Sequence, residues 1–219
     1  MIRFDSDYTE GCIPEILTAL TNTNDEQTIG YGKDNHCQNA ANLIKQTIKR
    51  EDADVHFMVG GTQTNIAVIT AILKHHQGTI CADSGHINAH ETGALESVGH
   101  KCLTLPTTNG KITAEQVNTL IMNHYNDASA EHTVQPGIVY ISFPTESGTL
   151  YTKQELKDLY SICQRHNIPL FIDGARLGYG LMAKKNDVTF EDLANLCDVF
   201  YIGGTKVGAL FGECIVILN

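Results

Sequence analysis

The sequence predicts an α/β protein, a mostly parallel sheet with helices on both faces. Three observations predict it. Short apolar runs alternate with helix-period segments from about residue 36 onward, the rhythm of strand–helix–strand units. Two of the runs, Pro169-Leu-Phe-Ile and Val199-Phe-Tyr-Ile, each end at a glycine-bearing turn that carries a charged residue, as strands do at the ligand edge of an open sheet. The 219 residues are 42% hydrophobic and 18% charged, enough apolar mass for one domain with a sizeable core.

The elements follow in order. Residues 1–35 show weak periodicity and are expected to form an N-terminal arm or loop, while residues 36–219 read as a single domain without repeat, linker or low-complexity tract. His36 to Arg50 has apolar residues at helical spacing, and Val55 to Val59 reads as a strand. Gly60-Gly-Thr opens a helix expected to reach about His76; Thr79 to Cys81 is a short strand, His86 to Val98 a helix, and Cys102 to Leu105 a strand. Thr113-Ala-Glu-Gln and Thr152-Lys-Gln-Glu have the capping-box form and start helices, the second running to about His166. Between them Ile138 to Ser142 is a strand. Strands ending at Asp173 and Ile202, separated by a helix near Phe190 to Leu196, precede a last strand from Glu213 to Leu218.

Charge and cysteine usage narrow the function. The formal net charge is −10 and no dense Lys/Arg run occurs, which argues against nucleic acid and anionic membrane as partners. Seven cysteines are scattered singly with no C-x-x-C pair, mostly in apolar runs, as buried thiols in a reducing compartment would be. The charged start Met1-Ile-Arg-Phe-Asp lacks a secretory h-region and no apolar stretch approaches membrane-spanning length, so a cytoplasmic location is expected.

Several candidate site residues fall at strand ends. Gly60, Gly61 and Thr62 lie where a strand meets a helix; glycines there let backbone N–H groups and the helix dipole approach a phosphate, although such a turn also uses glycine for geometry alone. The spacing is neither that of a P-loop nor that of a dinucleotide fingerprint, which disfavours a nucleotide-dependent oxidoreductase. His86 and His90 stand four apart and could share a metal, but no third ligand is evident and no metal is expected. His86 at the crevice suits a ring that stacks on a planar cofactor, or a plain capping histidine. Asp173 reads as a sheet-edge carboxylate, or as the ion-pair partner of Arg176 three residues on. Lys206 alone reads as a solvated lysine. An acid and an amine at the same edge suit a pyridine-ring cofactor, the acid holding the ring nitrogen protonated and the amine forming a Schiff base.

The segments Arg3-Phe-Asp-Ser6-Asp, Gly30-Tyr31-Gly, Gly60-Gly-Thr-Gln-Thr-Asn65, Asp83-Ser-Gly-His86, Asp173-Gly-Ala-Arg176 and Gly203-Gly-Thr-Lys206-Val-Gly span nearly the whole chain. In this order the sequence resembles the threonine aldolase/β-eliminating lyase group of pyridoxal-phosphate enzymes, of the aspartate-aminotransferase fold type. The resemblance implies pyridoxal 5′-phosphate as cofactor, Lys206 as Schiff-base lysine, Asp173 at the pyridine nitrogen and His86 stacked on the ring. It implies Gly60, Gly61 and Thr62 at the phosphate, Arg176 and Ser6 at the carboxylate of an amino-acid substrate, and Tyr31 reaching the site of a neighbouring subunit in a homodimer or homotetramer. It implies cleavage of a β-hydroxy-α-amino acid such as threonine or allo-threonine to glycine and an aldehyde. Two departures stand out. A second active-site histidine common in the group is replaced by Pro144 or Thr145, leaving His86, a water or Glu146 as base for the β-hydroxyl proton. The group also continues well past the lysine into a small C-terminal domain, whereas this sequence runs only to Asn219, so a PLP-fold subunit with weak or no catalysis and a structural role is the competing expectation.

Overall fold

The computed structural model describes residues 3–219. The chain runs α1 (Pro14–Thr23), α2 (Asn35–Ile48), β1 (Asp54–Met58), α3 (Gly61–Ile72), β2 (Gln77–Ala82), α4 (His86–Ala89), α5 (Ala94–Ser97), β3 (Cys102–Leu105) and α6 (Ala114–Asn126). It continues with β4 (Gln135–Ser142), α7 (Lys153–His166), β5 (Leu170–Asp173), α8 (Leu177–Leu181), α9 (Phe190–Asn195), β6 (Val199–Gly203) and β7 (Glu213–Ile217). The strands form one sheet in the order β1-β7-β6-β5-β4-β2-β3. Pairing is parallel from β6 through β3 and antiparallel on both sides of β7, so the sheet is mostly parallel.

Both faces of the sheet are covered, which is why its strands read as continuous apolar runs. Side chains alternate between two cores. Val139, Ile141, Leu170, Ile172, Phe200 and Val216 pack with Val117 and Ile121 of α6, Leu156 and Leu159 of α7 and Leu193 of α9. Ile138, Tyr140, Phe171, Val199, Tyr201 and Ile215 point the other way, onto Val68 and Ile69 of α3, Ile87 of α4 and Leu95 of α5. Both sequence-marked capping boxes form: Thr113 and Gln116, and Thr152 and Glu155, each exchange side-chain and backbone hydrogen bonds. Thr189 and Asp192 form a third at α9.

Three local expectations differ from the structure, and one short helix was not expected at all. The arm contains a helix, α1, none of whose residues is buried; with no core to face, its sequence carries no strong apolar period. The helix expected over His86–Val98 is broken into α4 and α5, because Thr92 and Gly93 adopt positive φ and end the first turn. The helix after Gly60 stops at Ile72, since Leu73 is already extended on the way into β2. The short helix α8, which follows Arg176, has two glycines in five residues and no helical signature in sequence.

Candidate functional site

The parallel strands β4 and β5 end in register, Ser142 opposite Asp173, and β6 ends beside them at Gly203. The closeness of the two following turns explains two glycines. A Cβ on Gly174 would sit 1.8 Å from the Tyr201 carbonyl oxygen, and one on Gly203 would sit 2.4 Å from the Ala175 carbonyl oxygen. Without those atoms the Gly203 N–H donates to the Gly174 carbonyl at 2.9 Å, and the turns bearing Asp173 and Lys206 lie side by side.

Asp173 is 3% exposed and well supplied with donors. Its Oδ1 accepts the Ala175 N–H at 2.9 Å, and its Oδ2 accepts the Tyr140 hydroxyl at 2.5 Å and Asn65 Nδ2 at 3.1 Å. Burial foremost, and then the neighbouring Asp173 charge, push the hydroxyls of Tyr140 and Tyr201 well above their ordinary values, so both remain neutral donors. An ionised carboxylate offers about four lone-pair sites, so Asp173 can take a further donor from the crevice.

Lys206 sits in the loop between β6 and β7, and Glu213 anchors that loop from below. Its two carboxylate oxygens accept the Gly204 N–H at 3.1 Å and the Thr205 hydroxyl at 3.0 Å. Burial raises the Glu213 carboxyl pKa, against the opposing effect of these bonds. The Tyr179 hydroxyl donates to the Lys206 carbonyl at 2.7 Å, and Lys206 Nζ lies 5.7 Å from the centre of the Tyr8 ring. A cavity of about 270 Å³ opens here, lined among others by Ser6, Asp7, Tyr8, Tyr179, Thr205 and Lys206. The Ser6 hydroxyl is buried without a protein partner. A roomier cleft of about 380 Å³, lined by Val68, Ile72, Ile168, Val199 and Ile217, lies at the opposite edge of the sheet. Its one charged residue, Asp198, is already bonded to the Leu170 N–H, so that cleft offers volume but no chemistry.

His86 opens α4 just past β2. Its Nδ1 is 2.8 Å from Glu91 Oε1, a side chain only 1% exposed. That carboxylate, foremost, raises the histidine pKa, with burial opposing and the Asp173 charge assisting; Lys206 lowers it, so His86 lies within electrostatic reach of both. The His86 N–H and the Ser142 hydroxyl both donate to Glu146 Oε1, at 3.0 and 2.6 Å. The His86 and His90 rings stand 5.8 Å apart and tilted, and among the described residues no group of three ligands could hold a metal ion.

Arg176 does not neutralise Asp173. Its Nε and Nη2 instead form a two-point pair with Asp7 of the arm, which lowers the Asp7 carboxyl pKa. The Nη1 edge is left out of that pair. Gly60 caps α3 in extended conformation and Gly61 opens it; a Cβ on Gly60 would meet nothing within 4 Å, and one on Gly61 would come within 3.1 Å of the Tyr201 hydroxyl. Thr62 is exposed beside them, while the Thr64 hydroxyl is spent on the Gly60 carbonyl. Tyr31 is fully exposed and takes part in none of these contacts.

Sequence reasoning missed Asn65, Glu91, Tyr140, Tyr201, Asp7 and Glu213. Tyr140 and Tyr201 each interrupt an otherwise apolar run, a weak signal that a buried polar atom has a partner. Nothing local marks the others.

The β-eliminating lyase family profile matches residues 4–218. A low-specificity L-threonine aldolase of Pseudomonas aeruginosa is 29% identical over 99% of this chain, which spans 62% of that protein. The threonine aldolase structure from Leishmania major superposes with a TM-score of 0.94 at 47% identity, covering 98% of this chain and 61% of its own. The pyridoxal-phosphate-bound C–S lyase of Staphylococcus hominis, at 14% identity and a TM-score of 0.71, shares the fold. The chain thus spans about three-fifths of the length of the first two. Threonine aldolases and β-eliminating lyases depend on pyridoxal phosphate. On the strength of a match that runs almost end to end, the chain belongs to the β-eliminating lyase family.

Proposed function

We propose that this chain is the cofactor-binding part of a pyridoxal-phosphate-dependent lyase that cleaves a β-hydroxy-α-amino acid, such as threonine or allo-threonine, to glycine and an aldehyde. The observation that carries the proposal is the meeting of a buried carboxylate, Asp173, and a cavity-lining amine, Lys206, on adjacent turns at the sheet edge. The residues fit the cofactor. Asp173 has capacity for one more donor, the Ser6 hydroxyl lacks a partner, and space is open in front of Gly60 at the start of a three-turn helix. When bound, pyridoxal phosphate supplies an electron sink for the charge left at Cα.

The chain's own residues supply the rest. Lys206 Nζ, which lines the cavity, would be the amine that tethers the cofactor. Asp173 holds the proton on the pyridine nitrogen, in a pocket where its donors are fixed in advance. The N–H groups that open α3, with Thr62, take the phosphate. His86 would lie against the ring, with its bond to Glu91 holding the imidazole in place. The Nη1 edge of Arg176 and the Ser6 hydroxyl take the substrate carboxylate, with Asp7 holding the guanidinium in place. Both side-chain candidates for the β-hydroxyl proton keep a free atom: His86 has Nε2 open while its Nδ1 bonds Glu91, and Glu146 has Oε2 open while its Oε1 takes two donors. Assembly into a homodimer or homotetramer, with Tyr31 serving a neighbouring site, is supported by the exposed Ile13, Leu17 and Leu20 on and beside α1 and by the fully exposed Tyr31.

The test is release of glycine and aldehyde from threonine and allo-threonine by the purified protein supplied with cofactor. Turnover that vanishes in Lys206→Ala supports the lyase. Cofactor binding with no product from either substrate would support instead a non-catalytic subunit of this fold.

A further inference from the structure

We propose that Asn65 is a positioning residue that ties together the two groups assigned to the cofactor ring, His86 and Asp173, by donating one amide hydrogen to each of two carboxylates. The proposal rests on the functional reading above for its purpose, but its geometry stands alone. Asn65 lies in the second turn of α3 and is 1% exposed. Its Nδ2 is 2.7 Å from Glu91 Oε1 and 3.1 Å from Asp173 Oδ2. Both carboxylates come from other elements, Glu91 from the segment after α4 and Asp173 from the end of β5. An amide has two N–H donors on nitrogen and none on oxygen, and both neighbours are acceptors, so its orientation is forced.

The continuous path is His86 Nδ1, Glu91 Oε1, Asn65 Nδ2, Asp173 Oδ2 and the Tyr140 hydroxyl. Simple filling of the α3 face does not explain the asparagine. Its Oδ1 is buried without a partner, as is Glu91 Oε2, a cost that a leucine of the same outline would avoid at Oδ1. What the leucine could not do is separate two buried acidic groups while bonding both. One Glu91 oxygen therefore serves two donors, so whatever pulls the Asn65 amide toward Asp173 changes how strongly Glu91 holds His86. Around His86 the other charged or titratable groups are Lys206, Glu146 at its backbone N–H, and His90 beside its ring; none of them bridges to Asp173.

The experiment titrates the His86 ring by long-range 1H–15N correlation in 15N-histidine-labelled protein without cofactor, from pH 5 to 9, with circular dichroism as the check on folding. In Asn65→Leu, Glu91 keeps only His86 as donor, so the His86 midpoint moves up by about half a unit or more, roughly a threefold gain in proton affinity. Asp173→Asn lowers the midpoint in the wild-type background, and by less than half as much in Asn65→Leu, since only the through-space part of the Asp173 charge remains. Should Asn65→Leu not fold, Asn65→Ala replaces it, since it also removes both amide donors without adding bulk, and the midpoint moves in the same direction. An unchanged or lowered midpoint in the folded variant, or an equal effect of Asp173→Asn in both backgrounds, overturns the proposal. Titration of the same proteins with pyridoxal phosphate separates the two readings. A wild-type chain that takes no cofactor defeats the functional assignment, whereas the histidine titration still decides whether Asn65 links the two groups.

Discussion

Tyr140→Phe removes one strong bond, to Asp173, together with a long 3.5 Å contact from the Ser142 hydroxyl. The hydroxyl is fully buried, donates to Asp173 Oδ2 at 2.5 Å, and stays neutral because burial and the adjacent charge raise its pKa. The substitution removes one oxygen and no carbon, so the Tyr140 ring keeps its edge-on packing against Phe171 and little cavity forms. What is lost is a hydrogen bond to a charged acceptor, worth about 1.5–3 kcal/mol, with Asn65 and the Ala175 N–H left to hold the carboxylate. A loss of about 2 kcal/mol in a chain of this size corresponds to roughly 4–8 °C in melting temperature. Urea unfolding at pH 7 followed by circular dichroism measures it, with an unchanged slope showing that the unfolded state is not altered. Tyr179→Phe is the control: its hydroxyl bonds the Lys206 carbonyl from an exposed position, where water takes over, and should cost less than about 0.5 kcal/mol. Tyr140→Phe costing no more than that control would show that the phenol does not support a charged Asp173.

Other outcomes follow from the same geometry. Gly174→Ala should lower stability by about 3 kcal/mol or leave the chain unable to accumulate, because the obstacle is a backbone carbonyl that cannot rotate away; a variant melting within about 2 °C of the parent would contradict the close approach. Glu91→Gln should remove a pH-dependent part of the stability. The folded His86 pKa is raised, so the Glu91 contribution is full below the unfolded value of about 6.5 and fades as pH rises through the folded value. The stability gap between parent and variant should therefore shrink from pH 6 to pH 9, and a gap that widens over that range would reverse the sign of the argument. Glu213→Ala should loosen the lysine loop, since the Gly204 N–H and the Thr205 hydroxyl lose their acceptor together, and the expected readout is faster proteolysis between β6 and β7. Cleavage at the parental rate would mean that the loop is held by other contacts.

The fold was legible where local chemistry decides it. Apolar runs such as Ile138 to Ile141 and Val199 to Ile202 announce strands buried on both faces, and the reciprocal threonine–glutamate and threonine–glutamine caps announce helix starts. It was illegible where a single backbone torsion or the absence of a core decides. Thr92 at positive φ splits a helix that side-chain spacing would continue, and α1 forms with nothing beneath it. The same divide runs through the site. Asp173, His86 and Lys206 stand out as charged residues that follow apolar runs, so the strand-end rule finds where they lie. Asn65 and Tyr140 take their importance from partners 108 and 33 positions away, Asn65 on Asp173 and Tyr140 on the same carboxylate, and no pattern within a helix or strand encodes that. Arg176 was open to pairing with Asp173, yet it pairs with Asp7, 169 positions distant, because the arm folds back over the sheet edge and brings the acid to it.

The central claim is that the amine of Lys206 and the carboxylate of Asp173 flank one cofactor ring. Borohydride reduction of the purified chain mixed with pyridoxal phosphate, followed by peptide mass analysis, tests it most directly. The account predicts one stoichiometric adduct on the peptide bearing Lys206, absent from Lys206→Ala and formed with weaker cofactor affinity in Asp173→Asn. An adduct spread over other lysines, or incorporated equally well in Lys206→Ala, would contradict it.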